Sequence, residues 1–231
     1  GLDYNLSTAD NKWNGKLFFH HSLSNKNNQN AFAHASWINY ATQNVNIEWN
    51  HEYVDKNYNA ETGFVPRIFQ TDNSGKVNKL SYWSLEPHAY FYIYPKKSII
   101  NKMGPIFFLD HYRNQKFEST DIYFLSGYDI NFTSTAGLYL HYNYYYTRLL
   151  FPTDVTFTGR KDFLDDGNYF YQNINLQYKT NQRKLLYATL TTNYGSYFVG
   201  NKFSAAADVS FRLQPFAIFT MSFTHDRIYL P

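Results

Sequence analysis

Over residues 44–53 the chain alternates without a fault, with Val45, Ile47, Trp49, His51 and Tyr53 interleaved with Asn44, Asn46, Glu48, Asn50 and Glu52. Successive side chains of a β-strand point to opposite faces, so a strict two-residue period predicts a strand with one apolar and one polar face. Ten such residues are about the length that crosses a bilayer at a tilt. The expectation therefore turns on whether the chain holds enough sister strands to close a barrel.

It holds many. Residues 2–6 alternate briefly, and 16–23 place Leu17, Phe19, His21 and Leu23 on one face. Residues 31–41 carry Trp37 and Tyr40, and a tight turn at Thr42 and Gln43 leads into the strand at 44–53 as a hairpin. Residues 80–93 alternate again, with Pro87 in the middle predicting a bulge or an unpaired position, because proline cannot donate to a ladder. Further strands are expected near 104–112, 121–132, 136–148, 169–179, 184–199, 203–213 and 216–228, which makes about twelve.

The connections sort by parity. Those after odd-numbered strands are mostly short, whereas the long polar ones, 24–30, 54–78 and 149–168, all follow even-numbered strands. Three connections blur the sorting: the basic segment after Ile93 is long for a short turn, and those near Arg113 and Gly200 are short for external loops. Outer-membrane barrels have tight periplasmic turns and long external loops, while a soluble sandwich has no reason to separate its loops this way. The predicted fold is all-β, an antiparallel transmembrane outer-membrane β-barrel, with residues 1–231 forming one barrel domain that is part of a larger barrel. The strand at 44–53 then runs outward, Trp49 toward lipid and Glu48 and Glu52 toward the lumen.

Composition narrows the classes. Aromatic residues make up 21% of the chain, with 23 Tyr and 21 Phe, and cysteine is absent, which removes disulfide scaffolds and thiolate metal sites. The mean hydropathy is negative. Strands that show only alternate residues to lipid average out as polar, so this does not oppose a membrane barrel. No apolar run is long enough for a transmembrane helix, and no secretory leader pattern opens these residues, which predicts a mature or partial chain. A net charge of +3 with scattered Lys and Arg offers nucleic acid little to hold. The expected partners are outer-membrane lipid or lipopolysaccharide and other outer-membrane proteins or lipoproteins.

Two sets of residues stand out. Glu48, Glu52, Glu86 and His88 fall on the polar faces of two successive strands, where carboxylates near a histidine can form an acid/base pair but more commonly line a wetted, hydrogen-bonded wall. No catalytic residue, metal ligand or cofactor is assigned, since metalloprotease, nucleophile-elbow and phosphate-loop motifs are all missing. Trp13, Trp37, Tyr53, Tyr94, Tyr112, Tyr146, Tyr169 and Tyr229 sit near strand ends, as an aromatic girdle at the headgroup level would place them; the β propensity of aromatics offers a plainer explanation.

The second set is Tyr58-Asn59-Ala60-Glu61-Thr62-Gly63-Phe64-Val65-Pro66-Arg67, a non-periodic stretch directly after the ideal strand. Gly63 and Pro66 set backbone shape, and Arg67 is an ion-pair or lumen-anchor candidate. A strand ending in Glu-x-Tyr and followed by this stretch resembles the C-terminal barrel domain of a family of Bacteroidota outer-membrane proteins. In that family a domain similar to family 9 carbohydrate-binding modules precedes a barrel of unknown function. The resemblance implies a structural role for Gly63, Phe64, Pro66 and Arg67 and carries over no catalytic residue. The carbohydrate-binding-like domain is missing here, and Arg227-Ile228-Tyr229-Leu230-Pro231 resembles a segment inside the barrel, so a fragment of a larger barrel is expected. The function expected is a pore, conduit or scaffold in an outer-membrane assembly linked to glycan uptake. The alternatives are a barrel-embedded hydrolase and a soluble carbohydrate-binding module.

Overall fold

The computed structural model describes residues 1–23, 31–59, 69–71, 76–159 and 164–230, and shows an all-β chain. Its strands are β1 (Leu2–Ser7), β2 (Trp13–His21), β3 (Phe32–Ala41), β4 (Val45–Val54), β5 (Phe69–Thr71), β6 (Val77–Lys79), β7 (Tyr82–Leu85), β8 (His88–Phe91), β9 (Ile100–Arg113), β10 (Ser119–Phe132), β11 (Gly137–Leu149), β12 (Gly167–Lys179), β13 (Leu186–Tyr197), β14 (Gly200–Leu213) and β15 (Ala217–Tyr229). Thirteen of them make one sheet in the order β1-β2-β3-β4-β7-β9-β10-β11-β12-β13-β14-β15, with β8 pairing both β4 and β9. Chain order and spatial order thus coincide in a meander, and the registers resolved between neighbours are antiparallel.

The expected count of twelve is low by three. Residues 80–93 are two strands, because Pro87 has no N–H and β7 stops at Leu85 before β8 resumes at His88. The long connection expected over 54–78 contains β5 and β6, which pair with each other as a separate ladder. Gly63, Phe64, Pro66 and Arg67 lie outside the described residues.

The chain forms two compact units. The first holds Gly1–Ala89, Phe108–Tyr123 and Tyr146–Tyr169; the second holds Tyr90–Phe107, Phe124–Tyr145 and Phe170–Pro231. In the first unit Trp49 pairs with Ile38, His51 with Ser36 and Tyr53 with His34, so the apolar set of β4 shares a face with Ile38 and His34. On the opposite face Glu48 pairs with Asn39, Asn50 with Trp37 and Glu52 with Ala35. Trp49 therefore lies on one face of β4 and Glu48 and Glu52 on the other, as the two-residue period predicts. Trp37 is a correction: it lies mid-strand, on the polar face opposite Asn50, and not at a strand end.

A small core closes over this unit where β3 begins, against the end of β4 and the start of β7. Ala33, Val54 and Tyr82 are buried, with Tyr58 and Tyr112 packed against them. Asp55, buried beside them, accepts from the Tyr53 hydroxyl at 2.9 Å and from the Asn57 amide at 3.2 Å, and Ser81 accepts from the Lys56 amide and the Gln115 side chain at 2.7 Å each. Buried polar groups that are satisfied in this way hold a chain reversal that loose loop residues would not.

In the second unit one alternation runs across β12 to β14 and into β15 as far as Phe223, beyond which His225 and Arg227 fall on the face of Phe203. Ile174, Tyr194 and Phe203 line up on one face, and Leu190, Ala207 and Phe223 two rows away on the same face. Asn175, Asn193 and Ser204 occupy the other.

Candidate functional site

The polar face holds the chemistry. In the first unit the pairing of Glu52 with Ser84 brings Tyr82 within reach, and the Tyr82 hydroxyl donates to Glu52 Oε1 at 2.8 Å. Asn50 and Glu86 exchange backbone hydrogen bonds, and Asn50 Nδ2 also donates to Glu86 Oε2 at 3.2 Å. Because Ser84 pairs with Tyr112, the Tyr112 hydroxyl arrives at Glu86 Oε1 from the other side, at 2.8 Å. His88 engages a different carboxylate: its Nε2 lies 3.2 Å from Asp110 Oδ1, and its ring meets Phe108 edge-on.

The four sequence candidates thus share one face but belong to separate contacts. Glu52 and Glu86 are acceptors for tyrosine hydroxyls, His88 pairs with Asp110, and Glu48 lies beside Asn39. Carboxylates whose oxygens are bound by hydroxyl and amide donors are held in place as parts of a hydrogen-bonded wall. Tyr82, Tyr112 and Asp110 complete the set. Their pairing depends on register across the Pro87 break, which the sequence alone does not give.

The second unit repeats the arrangement. His141 Nε2 lies 2.8 Å from Asp129 Oδ1, and the Tyr139 hydroxyl donates to Asn131 Oδ1 at 3.0 Å. Amide donors continue the wall, Asn143 to Asn173 at 2.8 Å and Asn175 to Asn193 at 2.7 Å, with Gln177 donating to the Thr191 hydroxyl at 3.1 Å. Tyr90 and Tyr92 stack with centroids 6.1 Å apart, and the Lys102 ammonium sits 4.4 Å from the Tyr92 ring centre. These rings, with Asp129, Asn131 and Tyr139, line a cavity of about 210 Å³.

No protein-family model, curated protein or solved structure matches this chain. The reading of the site therefore rests on its geometry. Among the described residues no group of three or more His, Asp or Glu side chains is placed to hold a metal ion.

The expected aromatic girdle is mixed. Trp13 packs on Tyr40 at 4.8 Å on the apolar face at the start of β2, and Tyr53 is buried there between His34 and Trp83. Tyr112, in contrast, turns to the polar face and binds Glu86.

Proposed function

We propose that this chain is the wall of an outer-membrane β-barrel, serving as a conduit or scaffold whose polar face lines an interior and whose apolar face meets lipid or lipopolysaccharide. One observation carries the reading: the distribution of apolar surface is the reverse of a water-soluble fold. Among the described residues eight hydrophobic side chains are buried, while forty-one large ones are exposed, including Leu140, Ile174, Leu190, Met221 and Phe223. Water-soluble monomers rarely expose contiguous apolar surface on this scale, because each exposed apolar area costs about 25 cal/mol per Å². Lipid removes that cost, and a hydrogen-bonded polar face then becomes the sheltered side. The meander, the long connections after β4 and β11, and the resemblance of residues 58–67 to a Bacteroidota barrel domain support the same placement.

The test is reconstitution. Refolded into vesicles, the chain is expected to gain β-sheet circular dichroism, migrate differently on gels before and after boiling, and keep its strands protected from protease while the long connections are cut. A chain that stays folded and monodisperse in buffer without detergent defeats the proposal.

A further inference from the structure

The 210 Å³ cavity does not stand alone. A second cavity, of about 440 Å³, shares Lys102 and Asn131 with it and is lined in addition by Thr133, Thr135 and Arg183. The first cavity is lined by aromatic rings, with Lys102 over one face of Tyr92 and Lys179 over one face of Tyr139, and by one carboxylate, Asp129, which is engaged by His141. The second has two cations and hydroxyl or amide groups, and no Asp or Glu lines it. Among the described residues neither Lys102 nor Arg183 forms an ion pair.

We propose that these adjoining cavities are a subsite for a saccharide bearing an anionic group, its ring against Tyr90, Tyr92 and Tyr139 and its anion between Lys102 and Arg183. The C–H face of a pyranose is an apolar, weakly positive surface that packs on the negative face of an aromatic ring. A guanidinium and an ammonium that form no ion pair attract a carboxylate, sulfate or phosphate, as cationic rings do in anion-selective pores. The Thr133 hydroxyl donates to the Ile99 carbonyl at 3.1 Å and Asn131 Oδ1 accepts from the Tyr139 hydroxyl at 3.0 Å, which leaves an acceptor lone pair on Thr133 and the Asn131 side-chain N–H groups for sugar hydroxyls. At about 210 Å³ the aromatic part falls below the roughly 300 Å³ at which sites for drug-sized ligands begin, which suits a single ring.

The inference rests on the conduit reading only in that the polar face must be reachable by solute. Binding is measured on the full chain folded in detergent, with a galacturonic acid trimer, a neutral galactose trimer and inorganic phosphate as probes. The acidic trimer is expected to bind at least about tenfold more tightly than the neutral one, and K102Q with R183Q to abolish that ratio. Tyr92→Ala is expected to weaken both sugars and leave phosphate unchanged. Lys102→Arg, which keeps the charge, should retain the preference and serves with the β-sheet spectrum as a check on folding. Equal affinity for the two trimers, or phosphate binding as tightly as the acidic trimer with Tyr92→Ala silent, overturns the proposal. So does the lack of any binding by a folded chain. Ion conductance in lipid without saccharide binding removes the subsite alone, and saccharide binding without membrane insertion removes the conduit alone.

Discussion

The Tyr112 hydroxyl donates to Glu86 at 2.8 Å, joining β9 to the residue at which β7 has ended and β8 has not begun. Proline at position 87 removes a ladder donor there, and the carbonyl of Pro87 accepts instead from the Leu109 amide at 3.1 Å. The side-chain bond therefore reinforces a weakened point of the ladder.

Tyr112→Phe deletes only the hydroxyl and leaves Glu86 with its Asn50 donor. The expected loss is about 1.5–3 kcal/mol, the range for a hydrogen bond to a charged acceptor. Denaturant unfolding of the refolded chain measures it, and a double-mutant cycle with Glu86→Gln should show coupling. Additive effects would mean that the bond contributes nothing.

Asn143 is buried and donates to Asn173. Asn143→Ala removes one hydrogen bond from the half-buried Asn173, with an expected cost of about 0.5–1.5 kcal/mol. Asn143→Asp should be at least as damaging, since it replaces the amide donor with an acceptor facing the Asn173 carbonyl oxygen. Unfolding midpoints of the two variants decide the matter.

Leu190 and Thr191 are neighbours on opposite faces of β13, Leu190 facing Ala207 and Tyr178 and Thr191 facing Ala206 and Gln177. If the apolar face meets lipid, Leu190→Arg should cost about 2–4 kcal/mol of folding into vesicles, and Thr191→Arg clearly less. Equal costs would remove lipid from the Leu190 face.

Asp10 lies in the turn between β1 and β2, where the Thr8 hydroxyl donates to it at 2.7 Å and Lys12 pairs with it. The Thr8 hydroxyl first, then Lys12, pulls its carboxyl down to about 2 from an ordinary 3.8. A depressed folded pKa means that the bonded turn is fully present above pH 3.8 and is lost as pH falls through about 2. The Lys12 amide shift should titrate with a midpoint near 2, and Thr8→Ala should move that midpoint upward. A midpoint at the ordinary value in the unaltered chain would contradict the turn geometry.

Gly104 sits where β9 passes the end of β8, and a Cβ there would overlap the Phe91 carbonyl. Gly104→Ala should force the two strands apart at a cost of about 1–3 kcal/mol, read as a lowered unfolding midpoint. It should also disturb the neighbouring Tyr90 and Tyr92 rings, visible in their near-ultraviolet dichroism.

The alternation of Val45, Ile47 and Trp49 with Asn46, Glu48 and Asn50 was sufficient to assign a strand and its two faces, because the period of a pleated backbone is local and independent of neighbours. The same holds for β12 to β14, whose faces appear in the structure as the residue types dictate. Proline chemistry likewise marked position 87 as an interruption, though not that the interruption would make two strands. Tertiary structure decided everything that depends on which residue lies opposite which. Trp37 looked like a strand-end aromatic and is a polar-face residue opposite Asn50; Tyr112 looked like a girdle residue and is the donor to Glu86. His88 and Glu86, two residues apart on one face, are bound to Asp110 and to Tyr112. Cross-strand partners are set by register, register is set by turn lengths and by the break at Pro87, and a single-residue shift would exchange the faces of every side chain in the strand.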